Sequence, residues 1–350
     1  MKMIVGSLLI VVLCILVFLS WSSYPWSLEE KKNQGSIINV EPDHMVDVEE
    51  TPSVIKVLTF NIGFLYGKGS EGSGYEHRDL DYYEKSLIKV SNDFIRWNAD
   101  IVFLQEVDFE SSRSHFIDQA TFIAKKAGYP FVAQAVSWEA NYIPFPYFPI
   151  KNNFGRMKSG GAILSKYPLD VHEFTLLKKP LSQPWWYNLF YLHRYFQKVT
   201  VTIGDKSFKL VNLHLEAFDK NNRREQLELL NSEIGKTKFD LIAGDFNMVP
   251  TGALKKSKFF NEDDYENDGS YDLMKRSSLL EVIPEEIYLK DEQRFFTFPS
   301  WSPDRRLDYI WYQPSLKMMK AEVLSSASSD HLPLMATFQI NGPRFNPYSQ

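Results

Sequence analysis

Several apolar stretches of this sequence run directly into residues that can bind a hard metal ion or move a proton. Val57-Leu58-Thr59-Phe60 meets Asn61, Ile101-Val102-Phe103-Leu104 meets Gln105-Glu106, and Leu210-Val211-Asn212-Leu213 meets His214. Leu241-Ile242-Ala243 meets Gly244-Asp245-Phe246-Asn247, and Ser329-Asp330-His331 stands just before the apolar run from Leu332. Each has an ordinary reading by itself, Gly-Asp after a strand as a turn and Asp-His as a surface pair. Oxygen ligands, amides and two histidines recurring at successive strand ends of one chain point to a common site. Mg²⁺ takes one or two carboxylates and keeps its other positions for water and substrate phosphate oxygens. Hydrolysis of a phosphate ester then needs a base for the attacking water, donors for the charge developing on phosphorus, and help for the leaving oxygen. The sequence has no GxxxxGK[ST] loop, no HExxH and no cysteine-rich cluster, which disfavours a P-loop triphosphatase and a structural zinc site. Cys14 is the only cysteine, so an intrachain disulfide is excluded.

Strand ends suit such chemistry because the sheet holds the side chains rigidly while the loop exposes them. Short β-rich runs are expected at 54–60, 101–104, 162–164, 199–203, 208–213, 241–243, 308–312 and 334–338. Helical spacing of Leu87, Val90, Phe94 and Trp97 predicts a helix over 83–97, and Leu227, Leu230 and Ile234 predict another over 222–234. Strands outnumber helices and several lack a crossover helix, so a mixed sheet or sandwich with outer helices fits better than a doubly wound parallel sheet. Residues 3–21 carry no charge and as a helix would span roughly 28 Å, the thickness of a bilayer's hydrocarbon. No good small-x-small cleavage site follows, which favours an uncleaved signal anchor. Lys2 precedes the span, while Lys31 and Lys32 after it are offset by Glu29 and Glu30, placing the N-terminus in the cytoplasm and the body outside it. The expected organisation is an anchor at 1–22, a flexible, proline-bearing acidic linker at 23–52, a catalytic domain at 53–342 and a tail at 343–350. The net charge of −5 argues against a protein that grips long stretches of duplex DNA.

In order, TFNIG (59–63), FLQEV (103–107), GGAILSKYPL (160–169), VNLHLEAF (211–218), IAGDFN (242–247), RLDYIW (306–311) and SDHLPL (329–334) resemble the blocks of the endonuclease/exonuclease/phosphatase superfamily. The resemblance implies an α/β fold: a two-sheet β-sandwich flanked by helices in four α/β/β/α layers, with the site at one edge and here one transmembrane helix in front. It implies that Glu106 is the principal Mg²⁺ ligand, Mn²⁺ being a possible substitute, with Asn61 and Asp330 close to the metal or its waters. Asp245 would position or deprotonate the attacking water, Asn247 would donate to phosphoryl oxygens, and Asn61 would also lie near the substrate. His331, oriented by Asp308, would contact the phosphate, and His214 would bind phosphate or protonate the leaving group. Gly63 departs from abasic-site endonucleases, which place an aspartate there, and His214 likewise sets the chain apart from them. The run 214–226 is similar to tyrosyl-DNA phosphodiesterases; within it Arg223 and Arg224 are read either as phosphate contacts or as solvated helix residues.

Two aromatic segments, 138–150 and 184–196, would either pack on one another or form an apolar rim for lipid, bases or sugars. The expected activity is Mg²⁺-dependent hydrolysis of a phosphate ester, most simply a diester, in a nucleic acid or a phospholipid or sphingomyelin-type headgroup. A catalytically silent, membrane-tethered binding module that keeps the fold is the alternative. The expected partners are substrate and membrane, and no segment points to a protein partner.

Overall fold

The structure, a computed structural model, describes residues 2–26, 29–44, 49–67, 75–261 and 263–340; the expected tail at 343–350 lies outside them. The chain opens on α1 (Lys2–Ser22), whose stretch Ile4–Ser22 is long and apolar enough to cross a membrane. Two short strands follow, β1 (Lys32–Gln34) and β2 (Ser36–Asn39). The apolar run at 54–60 becomes β3 (Val54–Asn61), joined through α2 (Leu80–Trp97) to the parallel strand β4 (Ile101–Asp108). Then come α3 (Gln119–Ala127), β5 (Phe131–Ile143), β6 (Gly155–Ser165), β7 (Leu169–Leu176), α4 (Trp185–Asn188) and β8 (Tyr195–Ile203). A second crossover unit links β9 (Lys206–His214) through α5 (Lys220–Lys236) to its parallel neighbour β10 (Leu241–Asp245). The chain ends with α6 (Ser270–Lys275), β11 (Leu280–Glu281), α7 (Glu285–Tyr288), β12 (Asp308–Tyr312), β13 (Lys317–Val323) and β14 (Leu334–Gln339).

These strands form two mixed sheets, ordered β13-β14-β3-β4-β6-β5-β2 and β1-β7-β8-β9-β10-β12-β11. Parallel neighbours require a crossover, which α2 and α5 supply, and they bring the C-terminal ends of both strands to one edge. Successive residues of a strand face opposite sides, and the core follows that alternation. Val57, Ile101 and Phe103 meet Val201, Leu210, Leu241 and Ile310 between the sheets. On the outer faces Leu58 and Phe60 pack under Leu87 and Phe94 of α2, and Val211 and Ile242 under Leu227 and Leu230 of α5. The result is the expected sandwich with flanking helices.

A chain of amides crosses the interior. Gln105 Nε2 donates to Asn212 Oδ1 at 2.7 Å, and Asn212 Nδ2 donates to Gln197 Oε1 and to Leu104 O, both at 2.9 Å. All three side chains are fully buried, where an unmet amide is costly, and these bonds tie one sheet to the other.

The stretch 23–52, expected as a flexible linker, is partly incorporated into the fold. β1 pairs antiparallel with β7 on one sheet and β2 with β5 on the other, so 32–39 joins two sheet edges. Side chains of such short edge strands stay largely exposed, and no apolar alternation advertises them.

Candidate active site

Parallel pairing explains why the polar strand ends converge. Asn61 ends β3, Glu106 lies near the end of β4, and His214 and Asp245 end β9 and β10 side by side. Asp308 opens β12 and, by antiparallel register, stands beside Asp245. Leu334 of β14 pairs with Thr59, so the turn before it hangs over Asn61, where Ser329 Oγ donates to Asn61 O at 2.7 Å.

Glu106 reaches the site through a bulge. Gln105 points between the sheets, so regular alternation would send Glu106 to the helix-covered face. The β4–β6 register shifts between Leu104 and Val107, and Glu106 takes φ 53°, a left-handed conformation uncommon for a residue with a side chain. Its carboxylate thereby accepts from Asn61 Nδ2 at 3.3 Å. The same Nδ2 donates to Asp245 Oδ2 at 3.0 Å, while Asn61 Oδ1 accepts from Gly63 N at 3.0 Å and fixes the amide's orientation. Gly63 is itself constrained: at φ +51° an added Cβ would come within 2.7 Å of Asp330 Oδ1.

Asp245 Oδ1 accepts from Asn247 N at 2.9 Å, and Asn247 Nδ2 donates to Leu215 O at 2.9 Å. Burial pushes the Asp245 carboxyl up to about 6 against the opposing charge of His331. Burial, together with the charge of Asp330, raises Glu106 to about 7. His331 Nδ1 donates to Asp308 Oδ2 at 2.8 Å, and its Nε2 lies 3.8 Å from Asp245 Oδ2. Burial works to lower this ring, but the charges of Asp308 and Asp245 outweigh it and raise it to about 10. His214 is the opposite case: burial, then the charges of Arg194 and His331, hold it well below the usual histidine range. Its Nε2 lies 3.4 Å from Asp245 Oδ2 and 3.8 Å from Glu106 Oε1. The site thus pairs a charged imidazole with a neutral one.

The structure brings Asn61, Glu106, His214, Asp245, Asn247, Asp308, Asp330 and His331 together at one sheet edge. It adds a residue that the sequence reading missed. Arg194, fully buried just before β8, lies against both ring nitrogens of His214, and its Nε is 3.7 Å from Glu216 Oε2. Tyr191 OH donates to the same Glu216 at 2.9 Å. Arg223 is neither a phosphate contact nor a solvated residue: buried, it pairs with Asp268 at 2.8 Å and donates to the carbonyls of Glu216 and Ala217. Arg224 is exposed. The site opens into a cavity of about 240 Å³ with Glu106, Arg194, His214, Asp245, Asn247, Asp330 and His331 around its polar part. Trp138, Phe145, Phe154, Tyr187, Phe190 and Phe218 form its apolar walls.

Among curated proteins, none matches the chain significantly by sequence. Solved structures share the fold. An endonuclease/exonuclease/phosphatase from Beutenbergia cavernae superposes with a TM-score of 0.61 at 17% identity, covering 83% of this chain and 72% of that one. The mannosyl-6-phosphatase Bt3783 of Bacteroides thetaiotaomicron gives 0.53 at 14% identity over 81% of this chain and 99% of its own. A humanized D. rerio TDP2 gives 0.53 at 16% identity over 83% and 100%. The profile of the Endonuclease/Exonuclease/phosphatase family matches residues 58–331. From Leu58 in β3 to His331, that match spans every strand-end residue described above, and the chain belongs to the endonuclease/exonuclease/phosphatase family.

Proposed function

We propose that the chain is a Mg²⁺-dependent phosphodiesterase in which water attacks phosphorus directly. The observation that carries this reading is the double contact of Asn61 Nδ2 with Glu106 at 3.3 Å and Asp245 at 3.0 Å. It joins a carboxylate suited to a metal on one sheet to a carboxylate suited to a base on the other.

The family is divalent-metal dependent. The donors here fit a hard cation: Glu106 and Asp330 would supply carboxylate oxygens, and the repulsion that helps raise Glu106 would be relieved by a bound cation. Mg²⁺ needs only one or two carboxylates, because it keeps several waters and takes substrate oxygens; Mn²⁺, with a similar preference for oxygen, is expected to substitute. When bound, the ion supplies positive charge at a phosphoryl oxygen.

Asp245, raised to about 6, accepts a proton from the attacking water at a pH where it is largely ionised yet basic enough to help. The water oxygen bonds to phosphorus, and the bond to the leaving oxygen breaks with its electron pair on that oxygen. His331, held charged by Asp308, offsets the charge on the phosphoryl oxygens, and the remaining amide N–H of Asn247 is a further donor. His214, kept neutral and backed by Arg194, lines the place of the leaving oxygen, where the guanidinium offsets developing charge, and that oxygen is finally protonated from the open mouth of the cavity. The substrate class is a diester of a nucleic acid or a phospholipid-type headgroup. We read α1 as a membrane anchor with the body outside the cytoplasm.

The test uses the full chain in detergent with single-stranded and supercoiled DNA, sphingomyelin, glycerophospholipids and inositol phosphates, each with Mg²⁺ or EDTA. One class should turn over with Mg²⁺ only, and Asp245→Asn should lower kcat by about 10³-fold, within the range for a lost general base, with melting unchanged. Turnover that persists in EDTA or in Asp245→Asn would overturn the reading.

A further inference from the structure

We infer that the aromatic rim of the cavity mouth docks on a lipid bilayer, so that the site takes the headgroup phosphate of a membrane-embedded lipid; this rests on the phosphoesterase reading above. The first observation is that α1 is fastened to the body next to the cavity. Asn141 Nδ2 donates to Trp21 O at 3.0 Å, and Asn141 N donates to Tyr24 O at 2.9 Å. The Phe18 ring stands 6.3 Å from that of Tyr142. Asn141 lies two residues before Ile143, which lines the cavity. If Ile4–Ser22 crosses a bilayer, its roughly 28 Å bring Ser22 to one interface. Trp21, Tyr24 and Trp26 cluster there, residue types that favour this depth. The cavity wall at Ile143 is thereby held close to the membrane surface.

The second observation is independent of the helix. The loop after β5 exposes Phe148 to 83% and Ile150 to 70%, and α4 exposes Trp185 to 66%. Both segments turn inward within a few residues, Tyr147 and Tyr187 lining the cavity. Phe145 packs edge-on against Phe154, which packs on Trp138, so the exposed rings stand on a rigid base. Exposed rings gathered beside a cavity mark an interaction surface. A bilayer fits both the rim and the apolar walls that lead from it down to Glu106 and Asp245. A nucleic acid fits less well, since long phosphate backbones select basic surfaces and this chain carries a net charge of −5.

The experiment uses the full chain with Cys14→Ser, reconstituted in phosphatidylcholine vesicles. Single spin labels go on Phe148→Cys, Ile150→Cys and Trp185→Cys, with Met319→Cys on the opposite sheet edge as the control. The three rim labels should be accessible to oxygen and shielded from an aqueous nickel chelate, and the Met319 label the reverse. Aqueous labels at all three rim positions would overturn the docking surface. In parallel, Phe148→Asp with Trp185→Asp should lower hydrolysis of vesicle phospholipid at least tenfold and leave hydrolysis of soluble bis(p-nitrophenyl) phosphate unchanged. Hydrolysis of the soluble diester without vesicle phospholipid, or preference for single-stranded DNA, would sink the lipid inference while the phosphoesterase reading stands. No hydrolysis of any diester would sink both.

Discussion

Asp308 Oδ2 accepts a hydrogen bond from His331 Nδ1 at 2.8 Å, joining the first residue of β12 to the turn ahead of β14. The bond orients the ring towards Asp245 and holds it charged, while Asp308 Oδ1 is buried with no hydrogen-bond partner among the described residues. Asp308→Asn keeps the shape and removes the charge. Its kcat should fall by about 10²-fold, the lower range for a lost charge-stabilising donor, with KM changed much less. Wild-type kcat in this variant would remove Asp308 from the proposed role.

Glu106 predicts a metal response that does not depend on turnover. Burial and the charge of Asp330 raise its carboxyl to about 7, so a cation bound there relieves repulsion in the folded state alone. Mg²⁺ at about 100 times its Kd should stabilise the fold by about 2.7 kcal/mol and raise Tm by about 4 °C. Glu106→Gln should lose most of that shift in calorimetry, and an equal shift in both proteins would place the ion elsewhere.

Gly244 offers a contrast between structural and chemical damage. At φ +152° an added Cβ would lie 2.0 Å from Leu213 O in the neighbouring strand. Gly244→Ala must push β9 and β10 apart just before Asp245, at about 2–4 kcal/mol. Tm and activity should fall together, unlike Asp245→Asn, which should spare Tm. An unchanged melting curve for Gly244→Ala would contradict the packing described.

His172 predicts an acid limit to stability. Its Nδ1 donates to Ser36 O at 2.9 Å, and its Nε2 accepts from Gln197 Nε2 at 3.1 Å. Burial lowers the ring to about 4 from an ordinary 6.5. Below pH 6.5 the unfolded chain therefore takes up a proton that the folded chain refuses. The stability carried by the neutral ring is present above pH 6.5 and is lost as pH falls from there through about 4, amounting to about 3 kcal/mol. Thermal melts across this range should show the loss, and His172→Asn should flatten it. An identical acid limb in the variant would assign the effect to other groups.

The strand ends were legible because an apolar run marks the strand and the polar residue after it stands out. All eight expected strand runs lie within observed strands. β5 was missed because Glu139 and Asn141 interrupt its apolar residues, and β1 and β2 because short edge strands need no apolar face. Arg194 was hidden for a different reason: it precedes a strand instead of following one, and it sits within an aromatic segment read for its rings. The position of Glu106 was legible but its bulge was not, since a bulge exists only relative to the partner strand. The two readings offered for Arg223 both failed because Asp268, its partner, lies 45 residues away. The aromatic segments proved to be divided, with Trp138 and Phe145 packed and Phe148 and Trp185 outside.

The amide chain from Gln105 to Asn212 has a consequence for alignment. Glu106 follows Gln105 on one sheet and His214 comes two residues after Asn212 on the other, so each half of the site is built beside one end of the chain. Apolar contacts are non-directional, whereas a functional constellation tolerates only about 0.5 Å of error. The 2.7 Å bond between the two amides acts as a dowel, transferring position from sheet to sheet within one or two residues of the groups that need it. A sandwich whose halves bear complementary parts of one site is thus gauged from within, and its tolerances are set by hydrogen-bond length instead of by the compliance of hydrocarbon.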